Sequence, residues 1–198
     1  MRILLAIALP VEVAGYDFNH SCVDVIYTGV GKLNAYRAVR KALRERHYDV
    51  IINAGTCGSR RFDIGTVQYP TILKQGDAFT SNSFKAKTLY TSSSLYKRDI
   101  TLLTSDNFIS CVPSSDGSTS LPNTVRSYDL FDMEGYAVAS AAEFMPKHCF
   151  FIKLVSDNLD GTIVDWEKNT KKLSPILSRA IISFIKDNFI KDYEARRI

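Results

Sequence analysis

Two acidic signatures in the last third of the chain carry residue types that could do chemistry: Asp132-Met133-Glu134-Gly135 and Val155-Ser156-Asp157-Asn158. Each closes what reads as a buried β-strand, Tyr128-Asp129-Leu130-Phe131 before the first and Cys149-Phe150-Phe151-Ile152-Lys153-Leu154 before the second. Carboxylates in apolar surroundings are costly without partners, and the carboxyl ends of strands are where open α/β sheets form their ligand crevices. Two such positions, one strand–helix unit apart, point to an active site whose carboxylates accept hydrogen bonds or move protons.

The elements that must position them follow from the apolar pattern. Residues 2–9 form one apolar run, read as a central strand rather than a signal peptide, since one arginine is a poor leader and no small-residue cleavage pattern follows. Val23-Asp24-Val25-Ile26-Tyr27-Thr28 predicts a second strand, broken by Gly29-Val30-Gly31. A helix follows over residues 32–46, with Leu33, Tyr36, Ala38, Val39, Ala42 and Leu43 as its apolar positions. Asp49-Val50-Ile51-Ile52-Asn53-Ala54 is a third strand, ended by a turn at Gly55-Thr56-Cys57-Gly58. Residues 64–73 suggest one bent strand, 74–98 loop and edge strand, 101–104 a short strand and 110–127 a mobile surface loop. Helices over 134–145 and 167–190 complete an α/β chain. The expected fold is a single domain over 1–198, a central mixed twisted β-sheet flanked by helices.

Composition narrows the function classes. At 198 residues, 45% hydrophobic and 23% charged, the chain matches an ordinary soluble domain. A net charge of +4 is mild. Arg37, Arg40, Lys41, Arg44 and Arg46 read as a solvated helix face and Arg196-Arg197 as a frayed end, so no nucleic-acid partner is expected. No apolar run reaches the roughly 20 residues of a membrane span. Cys22, Cys57, Cys111 and Cys149 form no C-x-x-C pair, and His20, His47 and His148 have no metal-ligand spacing, so neither metal nor cofactor is expected. Cys149 reads as an inert core thiol, His47 and His148 as surface residues. A cytoplasmic protein with reduced thiols is the expectation. Gly31-Lys32 lacks the remainder of a phosphate-binding loop, because Leu33 follows it.

In this order, the motifs resemble the purine nucleoside phosphorylase/nucleosidase superfamily, most nearly its 5′-methylthioadenosine/S-adenosylhomocysteine nucleosidases. The resemblance rests on Glu12-Val13, Gly29-Val30-Gly31-Lys32, Ile52-Asn53-Ala54-Gly55-Thr56-Cys57-Gly58, Ser105-Asp106-Asn107-Phe108-Ile109, Asp132-Met133-Glu134 and Ser156-Asp157. It implies cleavage of an N-glycosidic bond in a small-molecule purine nucleoside. Asp157 would protonate the leaving purine with Ser156 orienting it. Glu134 would accept hydrogen bonds from the ribose hydroxyls, with Met133 as an apolar wall. Glu12 would activate water, Thr56 would position that water or touch the ribose, Phe108 would stack on the base and Ile109 would offer it backbone groups. A homodimer is implied as well.

The first turn, Ala8-Leu9-Pro10-Val11-Glu12, is acidic and holds no arginine, which suits water better than phosphate as the acceptor. Arg60-Arg61 are read as loop surface charges. The alternatives are a futalosine hydrolase, a purine nucleoside phosphorylase, or a degenerate relative that binds nucleosides without turnover. The last is kept open by shortening near residues 14–23 and 74–100.

Overall fold

The computed structural model describes residues 1–77, 87–91, 99–113, 119–123, 125–143, 149–160 and 166–197. Its strands in chain order are β1 (Ile3–Ile7), β2 (Tyr16–Asp17), β3 (Val23–Tyr27), β4 (Val50–Gly58), β5 (Val67–Gln68), β6 (Ile72–Gln75), β7 (Leu89–Tyr90), β8 (Thr101–Thr104), β9 (Val112–Pro113), β10 (Thr119–Ser120), β11 (Leu130–Asp132), β12 (Cys149–Asp157) and β13 (Arg196–Arg197). Helices α1 (Lys32–Glu45), α2 (Gly135–Ala141) and α3 (Trp166–Asn188) join them, with a 3₁₀ turn at Pro10–Val13. Nine strands form one mixed sheet in the order β3-β1-β4-β11-β8-β6-β7, with β12 pairing β4 and β5. The pairs β1–β3, β1–β4, β4–β12, β8–β11 and β6–β8 are parallel; β4–β11, β5–β12 and β6–β7 are antiparallel.

Strand alternation sorts the core into two layers. Leu4, Ala6, Ile51, Phe151 and Val155 face one side, where Ala35, Val39 and Ala42 of α1 and Ala137, Val138 and Ala141 of α2 cover them. Ile3, Leu5, Ile7, Ile52, Ile152 and Leu154 face the other, under Leu177, Ile181, Phe184 and Ile185 of α3. Both faces are buried, which is why these strands read as continuous apolar runs.

Several expectations change. The glycine-rich stretch 55–58 is not a turn: β4 runs on to Gly58 because β12 pairs along it to Asp157. Residues 64–73 hold two strands with different partners, β5 on β12 and β6 on β7 and β8. The described part of 110–127 is not a surface loop. It contains the antiparallel β9–β10 pair, and Leu121 and Val125 are buried with Leu103, Phe131 and Leu159. Helix α2 ends at Ala141, and the expected continuation at 144–145 lies outside the described residues, as do His148 and 78–86 and 92–98 of the segment expected as loop and edge strand. On α1, Leu33 and Tyr36 are exposed, and Ala35 takes the inward position.

Arg196-Arg197 is not frayed either, since β13 pairs with β2. Tyr193 just before it is fully buried and donates from its hydroxyl to the Phe18 carbonyl at 2.8 Å. The tail therefore straps the segment that follows the 3₁₀ turn. Tyr193→Ala is expected to cost about 3–5 kcal/mol, as for other buried aromatic truncations. Urea denaturation checks this, and a loss below about 1 kcal/mol would mean the tail contributes little.

Candidate active site

The strand ends open onto a cleft of about 220 Å³. Its lining includes all eight residues singled out in the sequence: Glu12, Thr56, Phe108, Ile109, Met133, Glu134, Ser156 and Asp157.

Glu12 is the third residue of the 3₁₀ turn, where Pro10 opens the helical geometry and the Glu12 side chain folds back on the turn's own start. Its Oε2 accepts from the Leu9 amide at 3.0 Å. Its Oε1 accepts from the Thr56 amide at 2.7 Å and the Thr56 hydroxyl at 2.9 Å. A Cβ at Gly55 would lie 3.1 Å from Oε1, so a glycine in β4 makes room for the carboxylate. Burial pushes the Glu12 pKa up, against the opposing pull of these hydrogen bonds and of Lys153.

Glu134 sits at the N-cap of α2, yet its side chain makes no cap hydrogen bond. Asp132 and Thr104 satisfy that helix end instead: Asp132 Oδ2 accepts from the Gly135 amide at 2.8 Å, and Thr104 Oγ1 accepts from the Tyr136 amide at 2.8 Å. Glu134 turns toward the loop before α1, where Oε1 accepts from the Gly31 amide at 2.9 Å. Burial, followed by repulsion from Asp132, raises its pKa to about 7.

Asp157 closes β12. Ser156 Oγ donates to its Oδ2 at 2.9 Å, and the Leu159 amide donates to its Oδ1 at 3.0 Å. It thus serves the turn after the strand as well as facing the cleft. The backbone is tight here: Leu159 has φ +61°, and a Cβ at Gly58 would fall 2.1 Å from Leu159 Cδ2 and 2.8 Å from Asp157 Oδ1. Phe108 is 43% exposed, as a wall residue open to a ligand would be and a core residue would not.

Beneath the cleft lies a residue that the sequence reading left in the core. Lys153 is 1% exposed in β12, with Nζ 2.7 Å from Asp132 Oδ2. Asp132 Oδ1 also accepts from the Thr104 hydroxyl at 2.6 Å. Desolvation works against the ammonium, but Asp132, Glu134 and Glu12 outweigh it and raise the Lys153 pKa, so it stays charged. The signal was a lone lysine in an otherwise apolar strand. Trp166, the chain's one tryptophan, also went unremarked; it lines the cleft and an adjoining space of about 60 Å³ with Asn158, Asp160 and Asn169. Cys57 lines the cleft too, its thiol held neutral by burial and the nearby carboxylates. Desolvation pushes the Cys149 thiol up to about 12.

Arg61 bonds to Asp129, which also accepts from Thr101, and Arg60 is exposed. Neither lines the cleft, and no described lining residue is arginine, lysine or histidine. No described helix is long and apolar enough to cross a membrane.

No protein-family model matches the sequence, and no curated protein matches it. Solved structures do match in three dimensions. A 5′-methylthioadenosine/S-adenosylhomocysteine nucleosidase from Helicobacter pylori superposes with a TM-score of 0.76 at 16% identity, covering 94% of this chain and 98% of its own. Futalosine hydrolase of Helicobacter pylori gives 0.75 at 16%, covering 94% and 97%. A Chlamydia trachomatis MTAN variant bound to MTA gives 0.69 at 23%, covering 94% and 98%. The chain has the nucleoside phosphorylase/nucleosidase fold. In that fold Asp132, Glu134 and Glu12 of this chain gather around the Lys153 ammonium.

Glu134 gives a pH test. Its folded pKa lies above the unfolded value, so folding favours the protonated form, and that stabilisation disappears as pH rises through about 7. Above that pH the buried charge costs on the order of 3 kcal/mol. Glu134→Gln is expected to raise the melting temperature by several degrees at pH 8 and to leave it unchanged near pH 4.5. An equal effect at both pH values would show that the carboxyl is not desolvated.

Proposed function

We propose that this protein hydrolyses the N-glycosidic bond of a purine nucleoside, with 5′-methylthioadenosine or S-adenosylhomocysteine as the leading substrates. The observation that carries this reading is the convergence of Glu12, Glu134 and Asp157 on one cleft whose described lining has no arginine, lysine or histidine.

Asp157, its plane fixed by Ser156 and the Leu159 amide, delivers a proton to purine N7 as the bond from the sugar C1′ to N9 breaks. Phe108 and Met133 wall the base and sugar, and Ile109 offers backbone groups to the base edge. Positive charge builds on the sugar, and Glu134 accepts from the ribose hydroxyls, which become better donors as it builds. Glu12 takes a proton from water as the water oxygen bonds C1′, with Thr56 holding the carboxylate. The products are free base and free sugar. Phosphate in place of water would call for cationic groups in the cleft, and Arg61 is committed to Asp129.

The 5′ substituent is assigned from the nucleosidase resemblance. The annex beside Trp166 leaves room for a larger group, so futalosine belongs in the same substrate panel. Purified protein is expected to release adenine from methylthioadenosine at the same rate with and without phosphate. Glu12→Gln and Asp157→Asn are each expected to cut kcat at least about a hundredfold while nucleoside still alters Trp166 fluorescence. Release only with phosphate would make the protein a phosphorylase. Binding without release from any nucleoside would make it a binding protein.

The reading includes a homodimer. Val30, Leu33 and Tyr36 are 42%, 58% and 40% exposed, and they form an apolar ridge from the cleft rim along α1. Sedimentation is expected to give twice the chain mass, and Leu33→Glu to shift it toward the monomer. A monomeric wild type would remove the dimer from the account.

A further inference from the structure

The Gly31-Lys32 pair, which failed as a phosphate loop, occupies a junction between the two halves of the cleft. The amides of Gly31, at the N-cap of α1, and of Lys32, its first residue, each grip a carboxylate. Gly31 N–H donates to Glu134 Oε1 at 2.9 Å, and Lys32 N–H donates to Asp106 Oδ1 at 2.8 Å. Acidic groups at that end also suit the dipole of a 14-residue helix. Gly31 has φ +94°, and a Cβ there would stand 3.2 Å from Asp106 Oδ1, so only glycine allows this approach without strain.

The Lys32 side chain continues the connection. Its ammonium bonds to Asp77 and lies 3.4 Å from Asp106 Oδ2, and the Asp106 amide donates to Asp77 Oδ2 at 2.8 Å. Lys32 and Asp77 are both largely buried, with side chains 15% and 13% exposed. Partial burial alone would raise Asp77, but the Lys32 ammonium and the Asp106 amide hold its carboxyl below the usual range. Lys32 itself does not line the cleft. Asp106 immediately precedes Asn107, Phe108 and Ile109, which do, and Gly31 immediately precedes Lys32 while orienting Glu134.

We propose that Lys32 is a positioning residue that locks the base-binding wall, residues 107–109, to the sugar-binding Glu134 through Asp77 and Asp106. Both halves of a nucleoside are then held in one register by a group that touches neither. The assignment of the two walls rests on the nucleosidase reading; the lock itself does not.

The test has two arms. Lys32→Met removes the ammonium, and Lys32→Gln with Asp77→Asn removes both charges, so that no buried carboxylate is left unpaired. In the first arm, hydrogen exchange is followed in peptides covering 105–109 and 133–138. Both variants are expected to exchange faster in both segments, and Lys32→Arg to return most of the protection. In the second arm, base release is expected to show KM raised about tenfold with kcat lowered less than about threefold, partly rescued in Lys32→Arg. A variant that is only less stable would lose active protein without moving KM. Exchange in both segments matching the wild type overturns the proposal whatever the activity. If the wild type releases no base, the nucleosidase reading fails and the exchange arm alone decides the lock.

Discussion

The site depends on one buried ion pair. Lys153 enters the sheet interior from β12 and meets Asp132 at the end of β11. A buried pair of this kind is weak evidence for stability, because desolvation offsets much of the attraction. Its consequence here is electrostatic and geometric. It holds Asp132 where that carboxylate can cap α2, which frees Glu134 from capping and lets it turn to the cleft. It also leaves one positive charge beneath Glu12 and Glu134, which tempers their mutual repulsion without neutralising it.

The cleft is consequently a place where negative charge is expensive until a positive charge arrives. Burial and Asp132 raise the Glu134 pKa to about 7, so its negative charge is costly near neutral pH. Under the proposed function, a sugar that gains positive charge on the way to bond cleavage would relieve that cost, and the stabilisation would be largest in the transition state.

Much of this was legible in the sequence. Apolar runs at residues 2–9, 49–54 and 149–154 are unambiguous because both faces of those strands are buried. The cleft residues were recognisable because carboxylates stood at strand ends in a familiar order. Other features were hidden for physical reasons. Gly55-Thr56-Cys57-Gly58 has turn composition, but its glycines exist to admit Glu12 and Leu159, and strand pairing overrides local preference. Leu33 and Tyr36 fit a helical stripe, yet the short side chain of Ala35 takes the inward place. Lys153 and Asp132 are far apart in sequence, and no spacing announces a pair made by sheet topology. Trp166 lay at an expected helix start and carried no motif.

The most direct test of this electrostatic account compares two nucleoside analogues at pH 8, one with a protonated nitrogen in its sugar ring and one neutral and isosteric. The cationic analogue is expected to bind at least about tenfold more tightly, about 1.4 kcal/mol. Equal affinity for the two would contradict it.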